Sequence, residues 1–427
     1  MQKWVSSLII LICTHNTLNA QLCIEDRFTE AEYFADDEIT IVNNVSYGLA
    51  SEWYYEMEVP ELNMFNIAYP TIGIDPLGKR PLVILAHGGG FWGSEKENMD
   101  YIVQQLAQKG FVAATINYRK GWDSYGDPEN CDGDGASMYE AVYKAMQDVQ
   151  AALRYLVANA DTYGIDTSWI FLGGQSAGVY AMMNSTFATQ EEWNLLFSEH
   201  TLLFGDINSA TNDIVTDFTV KGFLNCWGGI VDLNLIDVDE AIPTISFYGT
   251  EDEVVPPFEG NFQGCEAYAY VYGSALIYET LNLFNVCNVV HAREGYGHDT
   301  YEDDYVIDNV TCFMKSLFCD DCSSYEVNYQ TGSCEELGAT EILVASKSEF
   351  TVYPNPANVF VTIKSVNPLE LNCNIEVWNS TGQKMPIDFD QNENTLILNT
   401  ENLPSGIYYF TLRNNNKTNP GSFLIDK

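Results

Sequence analysis

The order of apolar and polar positions predicts strands that alternate with helices over most of the chain. Continuous apolar runs are typical of strands buried on both faces, and they occur at residues 81–86, 111–118 and 170–173. Apolar side chains recur at helical spacing in residues 99–109 and 137–160. Further strands are predicted at residues 62–69, 220–227, 242–248 and 286–291. Residues 280–284 are predicted to end a helix, and residues 300–317 to form the closing one. This alternation predicts an α/β fold with a mostly parallel central sheet and helices on both faces.

Two stretches carry no clear periodicity. Residues 23–44 are acidic with few apolar positions, and we expect them to run along the edge of the main domain. Residues 189–218 follow the central part of the predicted sheet and are compatible with a lid or cap.

The pattern changes near the C-terminus. From residue 350 to residue 427, short alternating runs are separated by turn residues and no helical period is present. That arrangement predicts a small β-sandwich. Composition shifts at Glu335, so residues 335–349 are expected to link the sandwich to a main domain at residues 21–334.

The first 20 residues have the organisation of a secretory signal. Lys3 supplies the basic start, residues 5–13 form an apolar core too short to span a bilayer, and small residues precede Ala20. No later stretch reaches about 18 consecutive apolar residues, so no membrane span is predicted. We therefore expect an exported protein whose mature chain starts near Gln21.

The excess of acidic residues excludes some classes of binding partner for this protein. The 427 residues carry 60 Asp and Glu against 19 Lys and Arg, which gives a formal net charge of −41. Such a surface repels nucleic acid and anionic membranes, so no nucleic-acid partner is predicted. Adaptation to a salty habitat would produce the same excess of acidic residues.

Cysteine usage agrees with export. The chain has eleven cysteines, and in an exported protein most of those outside the signal should form disulfides. Cys319 and Cys322 have the spacing of a metal or redox pair, but no second Cys-x-x-Cys or histidine cluster accompanies them. A disulfide between them, or from them to Cys312 or Cys334, is the favoured interpretation.

No metal or cofactor is predicted. The loop with Asp132, Gly133 and Asp134 is acidic, but it lacks the ligand spacing of a calcium loop, so we expect it to be solvated.

One short sequence motif indicates a catalytic serine. Gly174, Ser176 and Gly178 lie between an apolar run and a helical stretch, in the pattern Gly-x-Ser-x-Gly. In a tight strand–turn–helix the central serine is strained, and only glycine two residues before and after it leaves room for strand and helix to pass. Ser176 is therefore a candidate nucleophile, although a serine in an ordinary glycine-rich turn gives the same short pattern.

A nucleophilic serine needs a base, and four histidines are available after the signal. His87 belongs to a glycine-rich loop, His200 to the unassigned segment, and His291 ends the last predicted strand. His298 lies on a glycine-rich loop just after that strand. The loop would lie at the same sheet edge as Ser176, so His298 is the predicted base.

The orienting acid should also follow a strand at this edge. Asp252 comes after the strand at residues 242–248 and a tight turn, and it is the predicted acid. Glu251 and Glu253 are neighbours that could take the same role. The chain order Ser, Asp, His is the order of the α/β-hydrolase fold.

A tetrahedral oxyanion needs backbone N–H donors. Glycines after the strand at residues 81–86 allow close approach to a substrate carbonyl, so Gly89 and Gly90, together with Ala177, are the predicted oxyanion hole. Candidates for substrate binding are Trp92, Gln175 and Trp227. The aromatic residues that could line an acyl or sugar pocket, and that would otherwise be core or rim residues, are Trp92, Trp122, Tyr125 and Trp227.

Residues 60–315 resemble secreted α/β-hydrolase carboxylesterases with a His-Gly-Gly-Gly loop, among them bacterial feruloyl and acetyl esterases and hormone-sensitive-lipase-like esterases. The likeness is carried by residues 81–91, 117–119, 147–156, 163–166 and 174–178. Gln175 stands where the hormone-sensitive-lipase-like enzymes usually carry Asp. The resemblance implies cofactor-free hydrolysis of an ester substrate, with polysaccharide-linked acetyl or feruloyl esters as the first expectation. Alternatives are a lipase or polyester hydrolase, a secreted peptidase on the same fold, and a non-catalytic surface adhesin.

The C-terminal residues resemble the sorting domain of the type IX secretion system. Residues 353–356, 379–383 and 403–408 carry this likeness. It implies that the type IX secretion machinery is a partner and that the protein is secreted or located at the cell surface. The alternative is an ordinary carbohydrate-binding or adhesive sandwich.

Overall fold

The computed structural model describes most of the predicted main domain and parts of the C-terminal sandwich. The described residues are 22–23, 27–54, 57–124, 128–329, 350–353, 357–365, 374–379, 384–392, 394–414, 417–425 and 427. The predicted signal peptide and linker lie outside them. The chain divides into two compact units, one within residues 1–278 and 287–340 and the other within residues 279–286 and 341–427.

A mixed, mostly parallel sheet forms the centre of the first unit. The described strands of this unit belong to this large sheet and to a small second sheet. They are β1 Ile39–Tyr54, β2 Met57–Pro70, β3 Arg80–Ala86, β4 Val112–Ile116, β5 Ile165–Gln175, β6 Val220–Cys226, β7 Gly229–Ile230, β8 Thr244–Gly249, β9 Glu259–Asn261, β10 Tyr270–Gly273, β11 Asn288–Arg293 and β12 Tyr325–Val327. The large sheet has the order β1-β2-β4-β3-β5-β6-β8-β11-β12, and a small sheet has the order β7-β10-β9. In the large sheet β2 runs against both neighbours, and every other pairing is parallel.

Helices cover both faces of this sheet. They are α1 Asp100–Gln108, α2 Gly135–Ala158, α3 Ala160–Tyr163, α4 Ala177–Phe187, α5 Gln190–Leu196, α6 Ser198–Phe204, α7 Ser274–Leu283 and α8 Asp303–Phe318. Within the described part of the chain, no helix is long and apolar enough to cross a membrane.

Successive side chains of a central strand point to opposite faces of the sheet, and both sets are buried. Val83 and Leu85 of β3 join a core cluster with the inner sides of α1 and α8. Leu82 and Ile84 alternate with them, point to the opposite face and are equally buried. On the face that α2 and α4 share, Gln150 of α2 donates to the carbonyl of Ser185 in α4 at 2.7 Å. The predicted α/β architecture is confirmed.

The N-terminal segment ends in a strand that the sequence pattern did not predict. Residues 39–44, which were expected to run along the edge of the main domain, belong to β1 at one edge of the sheet. The preceding segment is anchored by charge, because Asp75 accepts hydrogen bonds from Arg27 at 3.0 Å and from Arg80 at 2.8 Å in a buried cluster. A sparse apolar pattern hid an exposed edge strand, whose outer face needs no apolar side chains.

The disulfides also differ from the expectation. The bridges within the described residues are Cys23–Cys319, Cys131–Cys265 and Cys287–Cys322. The prediction that Cys319 and Cys322 bond to each other, or to Cys312 or Cys334, was wrong, because each pairs with a cysteine that the fold brings from far away in sequence. Cys334 lies outside the described residues.

The segment at residues 189–218 packs beside the sheet. The hydroxyl of Tyr143 in α2 donates to the Gly205 carbonyl at 2.7 Å, and the Gln147 amide donates to the Phe204 carbonyl at 2.9 Å. His200 of α6 is buried, with its ring stacked on Phe197 at 5.1 Å. In the structure, the helices of this segment therefore cover α2.

The second unit is a sandwich of two four-stranded sheets. Its strands are β13 Phe350–Tyr353, β14 Phe360–Ser365, β15 Asn374–Asn379, β16 Lys384–Met385, β17 Asp388–Asn392, β18 Thr395–Asn399, β19 Gly406–Asn414 and β20 Lys417–Ile425. The sheet orders are β13-β14-β18-β17 and β16-β15-β19-β20. Val361 and Leu398 of one sheet share a core with Val377, Phe410 and Phe423 of the other. The predicted small β-sandwich is confirmed.

A buried histidine in β11 makes the stability of the first unit sensitive to acid. The His291 ring stacks on Phe247 at 4.7 Å, and its Nδ1 atom lies 2.8 Å from the Tyr305 hydroxyl. Burial lowers the pKa of His291 to about 3, whereas the unfolded chain should titrate near pH 6.5. Between these values only the unfolded state binds the proton, so the free energy of unfolding falls as the pH is lowered below about 6.5.

We expect the substitution His291→Phe, which keeps an aromatic ring and removes the titration, to weaken this acid sensitivity. Wild type should lose up to about 1.4 kcal/mol per pH unit more than the variant between about pH 6 and pH 4. Urea unfolding at a series of pH values measures the difference, and comparison with wild type cancels the contribution of the many carboxylates. Parallel pH dependences would contradict the assignment.

Candidate active site

Ser176 lies at a tight turn between β5 and α4. Its backbone has φ of 51° and ψ of −121°, a strained conformation for a residue other than glycine. The turn is held from both sides, because Ser176 N–H donates to the Cys226 carbonyl at 2.9 Å and Tyr180 N–H donates to the Ser176 carbonyl at 3.1 Å. The side chain is thereby presented at the carboxyl edge of the parallel strands.

The two outer glycines of the motif are required by the approach of β3. A Cβ atom added at Gly174 or at Gly178 would lie 2.3 Å from the carbonyl oxygen of Ala86. Real Cβ atoms do not come this close to backbone, so a larger residue would push β3 and the elbow apart. The predicted reason for the Gly-x-Ser-x-Gly spacing is therefore visible as a backbone contact.

The structure brings together the predicted nucleophile, base and acid. His298 Nε2 lies 2.9 Å from Ser176 Oγ, and His298 Nδ1 lies 2.7 Å from Asp252 Oδ2. Ser176 is 8% exposed and Asp252 is 5% exposed, while the side chain of His298 is 19% exposed. With a proton on Nδ1, the imidazole donates to Asp252 and accepts from the Ser176 hydroxyl.

Asp252 is held by its own turn after β8. Its Oδ1 atom accepts the backbone N–H groups of Val254 and Val255, each at 2.9 Å, which leaves Oδ2 for His298. The neighbours Glu251 and Glu253 are exposed. Of the three acidic residues considered from the sequence, Asp252 is the one in contact with the histidine.

The turn of Asp252 and the loop of His298 touch through their backbones. Glu251 N–H donates to the Tyr296 carbonyl at 2.8 Å, and Gly295 N–H donates to the Thr250 hydroxyl at 2.9 Å. A Cβ atom at Gly249 would lie 2.2 Å from the carbonyl oxygens of both Tyr296 and Gly297. This close packing fixes the position of His298 relative to Asp252.

Arg293 closes the base of the His298 loop. Its guanidinium lies 4.1 Å from the ring centre of Tyr296 and 4.3 Å from that of Tyr329. The same group donates a hydrogen bond to the Thr300 carbonyl. One cation thus stacks between two rings and spans the two ends of the loop.

The predicted oxyanion loop lies beside the elbow. Gly89 and Gly90 have φ of 101° and 62°, and a Cβ atom at Gly88 would lie 3.3 Å from the Ser176 Cβ atom. Within the described residues, the N–H groups of Gly89, Gly90 and Ala177 make no hydrogen bond to another group of the protein. Because Ala177 begins α4, its N–H also lies at the positive end of the helix dipole.

His87 anchors this loop from inside the core. The residue is 1% exposed, its ring stacks on Tyr118 at 4.5 Å, and its Nδ1 atom lies 2.7 Å from the Gly88 carbonyl oxygen. Burial lowers the pKa of His87 to about 4, so the ring is neutral at pH 7. His87, His200 and His291 are all buried away from Ser176, and His298 alone among the four candidates contacts it.

A cavity of about 640 Å³ opens at Ser176 and His298. The three predicted substrate-binding residues, Trp92, Gln175 and Trp227, all line it. Trp92 is 52% exposed at the cavity, whereas Trp227 is 3% exposed and packs edge-on against the His298 ring. Trp122 also lines the cavity, and Tyr125 lies outside the described residues. Lining residues that the sequence did not single out for this role are Ser94, Asn98, Glu129, Val254, Phe262, Gln263 and Asp299.

These additional residues have no local signal in the sequence. They lie on loops between elements, and their position depends on tertiary contacts such as the Cys131–Cys265 bridge. Asp134, from the acidic loop considered for calcium, instead caps α2 by accepting the N–H groups of Ala136 and Ser137. In the part of the chain that the structure describes, no three His, Cys, Asp or Glu side chains are grouped to hold a metal ion.

The sheet order, the elbow after β5 and the chain order Ser176, Asp252, His298 define the α/β-hydrolase fold. Comparison with known proteins adds two family matches. Residues 136–246, which include the elbow, match the BD-FAE family model. Residues 351–426 match the model of the secretion system C-terminal sorting domain.

Individual relatives share part of the chain. Gut esterase 1 of Caenorhabditis elegans is 23% identical over 156 residues, which cover 35% of this chain and 26% of that protein. Fumonisin B1 esterase of Sphingopyxis macrogoltabida is 30% identical over 105 residues, which cover 25% of this chain and 19% of that protein. The chain thus spans about a quarter or less of the length of these curated relatives. Among solved structures, a truncated carbohydrate esterase from gut microbiota aligns with a TM-score of 0.44 at 18% identity, covering 67% of this chain and 99% of that one.

The match at the C-terminus confirms the predicted sorting domain. A domain of this kind marks its carrier for export, so the protein is secreted or located at the cell surface.

The close contact between Gly249 and the backbone of the His298 loop can be tested with a matched pair of variants. Gly249→Ala would drive a methyl group into the loop at residues 296–297, and we expect it to lower the free energy of unfolding by about 1–3 kcal/mol. Gly297→Ala lies on the other side of the same contact, where the nearest atom to an added Cβ is the Glu251 carbonyl oxygen at 3.7 Å. That variant should stay within about 0.5 kcal/mol of wild type in denaturant unfolding. Equal stability of the two variants would contradict the packing described.

Proposed function

We propose that this secreted protein is a serine carboxylic-ester hydrolase that acts through an acyl-enzyme on Ser176, with His298 as base and Asp252 as orienting acid. The observation that carries the proposal is the unbroken hydrogen-bonded chain from Ser176 Oγ through His298 to the buried Asp252 carboxylate. It is supported by the N–H groups of Gly89, Gly90 and Ala177 near the same serine, which donate to no group in the described part of the protein.

In the first half of the reaction, His298 Nε2 takes the Ser176 proton as Oγ attacks the ester carbonyl carbon. Asp252 keeps the Nδ1 proton in place and stabilises the imidazolium that forms. The developing oxyanion accepts hydrogen bonds from Gly89, Gly90 and Ala177. When the tetrahedral intermediate collapses, His298 gives its proton to the leaving alcohol.

The second half repeats these roles with water as the nucleophile. His298 takes a proton from water, the hydroxide attacks the acyl carbon, and the same N–H groups hold the second oxyanion. Collapse returns the proton to Ser176 Oγ and releases the carboxylic acid.

The choice of ester bonds rests on the comparisons. The elbow lies inside the segment that matches the BD-FAE model, and the two curated relatives are named esterases. Acetyl or feruloyl esters linked to polysaccharide are the proposed substrates. The exposed ring of Trp92 supports this choice because aromatic faces stack on planar or carbohydrate groups at the mouth of a site. The type IX secretion machinery is the proposed export partner, on the basis of the sorting domain.

Ester hydrolysis should depend on the serine and on the tautomer that Asp252 enforces. With 4-nitrophenyl acetate, Ser176→Ala should lower kcat by about 10⁶-fold and Asp252→Asn by about 10⁴-fold. The control is Glu253→Gln, which changes an exposed carboxylate next to Asp252 and should keep activity within about twofold. An inactive wild type, or unchanged activity in Ser176→Ala, would refute the proposal.

Trp92 gives a test of the substrate class. Loss of one stacking contact of about 1 kcal/mol should raise KM for acetylated xylan or methyl ferulate about fivefold in Trp92→Ala. The kcat for 4-nitrophenyl acetate should not change, because this small ester does not need the rim. Preference of the wild type for long-chain lipid esters, a polyester or a chromogenic peptide would instead favour the lipase, polyester-hydrolase or peptidase alternatives.

A further inference from the structure

Two segments that contain no strand of the large sheet line part of the cavity. The first lies between β4 and α2, is described at residues 121–124 and 128–134, and contributes Trp122 and Glu129. The segment at residues 254–269 lies between β8 and β10 and contributes Val254, Phe262 and Gln263. Because no ladder of the large sheet fixes these residues, their positions depend on contacts between the loops.

The two loops are joined by three contacts, which we call the loop staple. The Cys131–Cys265 disulfide bonds them covalently. Gly133 N–H donates to the Tyr268 hydroxyl at 3.0 Å, and the Trp122 ring meets the Tyr268 ring edge-on at 4.8 Å. Trp122 therefore belongs both to the staple and to the cavity.

Backbone packing shows that the loops are built to meet. A Cβ atom at Gly135 would lie 1.7 Å from the Ala267 carbonyl oxygen, so only glycine permits the observed approach. At the far side, the Phe262 ring packs edge-on against Tyr180 of the elbow helix at 5.5 Å. The cavity wall is thus fixed between the staple and α4.

The three contacts of the loop staple do not include the catalytic residues. None of them involves Ser176, Asp252 or His298. One link connects the two sets, because Gln263 N–H, in the stapled segment, donates to the carbonyl of Val254, whose own N–H donates to Asp252. Asp252 is also held by Val255 N–H, and His298 by the contacts of its loop with the turn after β8. A change in the staple should therefore move the wall more than the catalytic residues.

We propose that the loop staple sets the width of the acyl-binding cavity, and so determines how the enzyme discriminates between small and bulky acyl groups. This inference rests on the proposed esterase function. Cys131, Cys265 and Tyr268 act as positioning residues for the wall residues Trp122 and Phe262. An acetyl group reaches only the catalytic residues and the oxyanion loop, whereas an aromatic acyl group must also contact the wall.

The test compares two esters with the same leaving group, 4-nitrophenyl acetate and 4-nitrophenyl benzoate. In Cys131→Ser/Cys265→Ser, the ratio of the two kcat/KM values should change at least tenfold from wild type, mainly through KM for benzoate, while kcat for acetate stays within threefold. The matched control, Cys287→Ser/Cys322→Ser, removes a bridge between residues that do not line the cavity and should keep the wild-type ratio.

Tyr268→Phe provides a second variant that keeps the disulfide and removes only the hydroxyl bonded to Gly133. Tyr268→Phe should shift the ratio of the two kcat/KM values about threefold, in the same direction as the double cysteine variant. If the double cysteine variant does not fold, the result for Tyr268→Phe decides whether the staple controls acyl discrimination. An unchanged ratio in the folded staple variants, or an equal loss for both esters, would overturn the inference. Absence of hydrolysis of either ester by wild type would instead refute the proposed function itself.

Discussion

The close approach of β3 to the elbow is the constraint on which the site depends. The Ala86 carbonyl oxygen occupies the space that side chains at Gly174 and Gly178 would need. The residue after Ala86 is His87, which begins the glycine loop, so the same contact positions both the serine and the proposed oxyanion donors. Two functional groups far apart in sequence are therefore held by one backbone contact, and neither can shift without the other.

The remaining functional groups follow from the order of the parallel strands. Strands β5, β6, β8 and β11 are neighbours, and the residues just beyond their carboxyl ends are Ser176, Trp227, Asp252 and His298. Trp227 packs edge-on against the His298 ring, with the ring centres 6.3 Å apart. Since parallel strands end at one edge, the register of the sheet supplies most of the geometry.

The sequence alone was sufficient to predict the features that a strong local pattern marks and that their order along the chain places in the sheet. Buried strands, the elbow and the contact partners Asp252 and His298 could be predicted, because apolar runs mark central strands and glycine-rich turns follow them. Three features could not be predicted from the sequence: the edge strand β1, the pairing of the cysteines and the residues of the cavity wall. These depend on which remote segments meet in space, and residues such as Phe262 carry no sign of that encounter.

The bridge between Cys23 and Cys319 has a mechanical consequence. It joins the start of the described chain to the end of α8 across 296 residues, so the hydrolase unit is a covalently closed ring. The sorting domain continues from the C-terminal side of that ring. Tension applied through the tail, as during passage or attachment at a cell surface, would reach the Cys287–Cys322 bridge first and the Cys23–Cys319 bridge next, and it could not peel α8 away from the sheet. The enzyme would then resist unravelling from the end by which it is held.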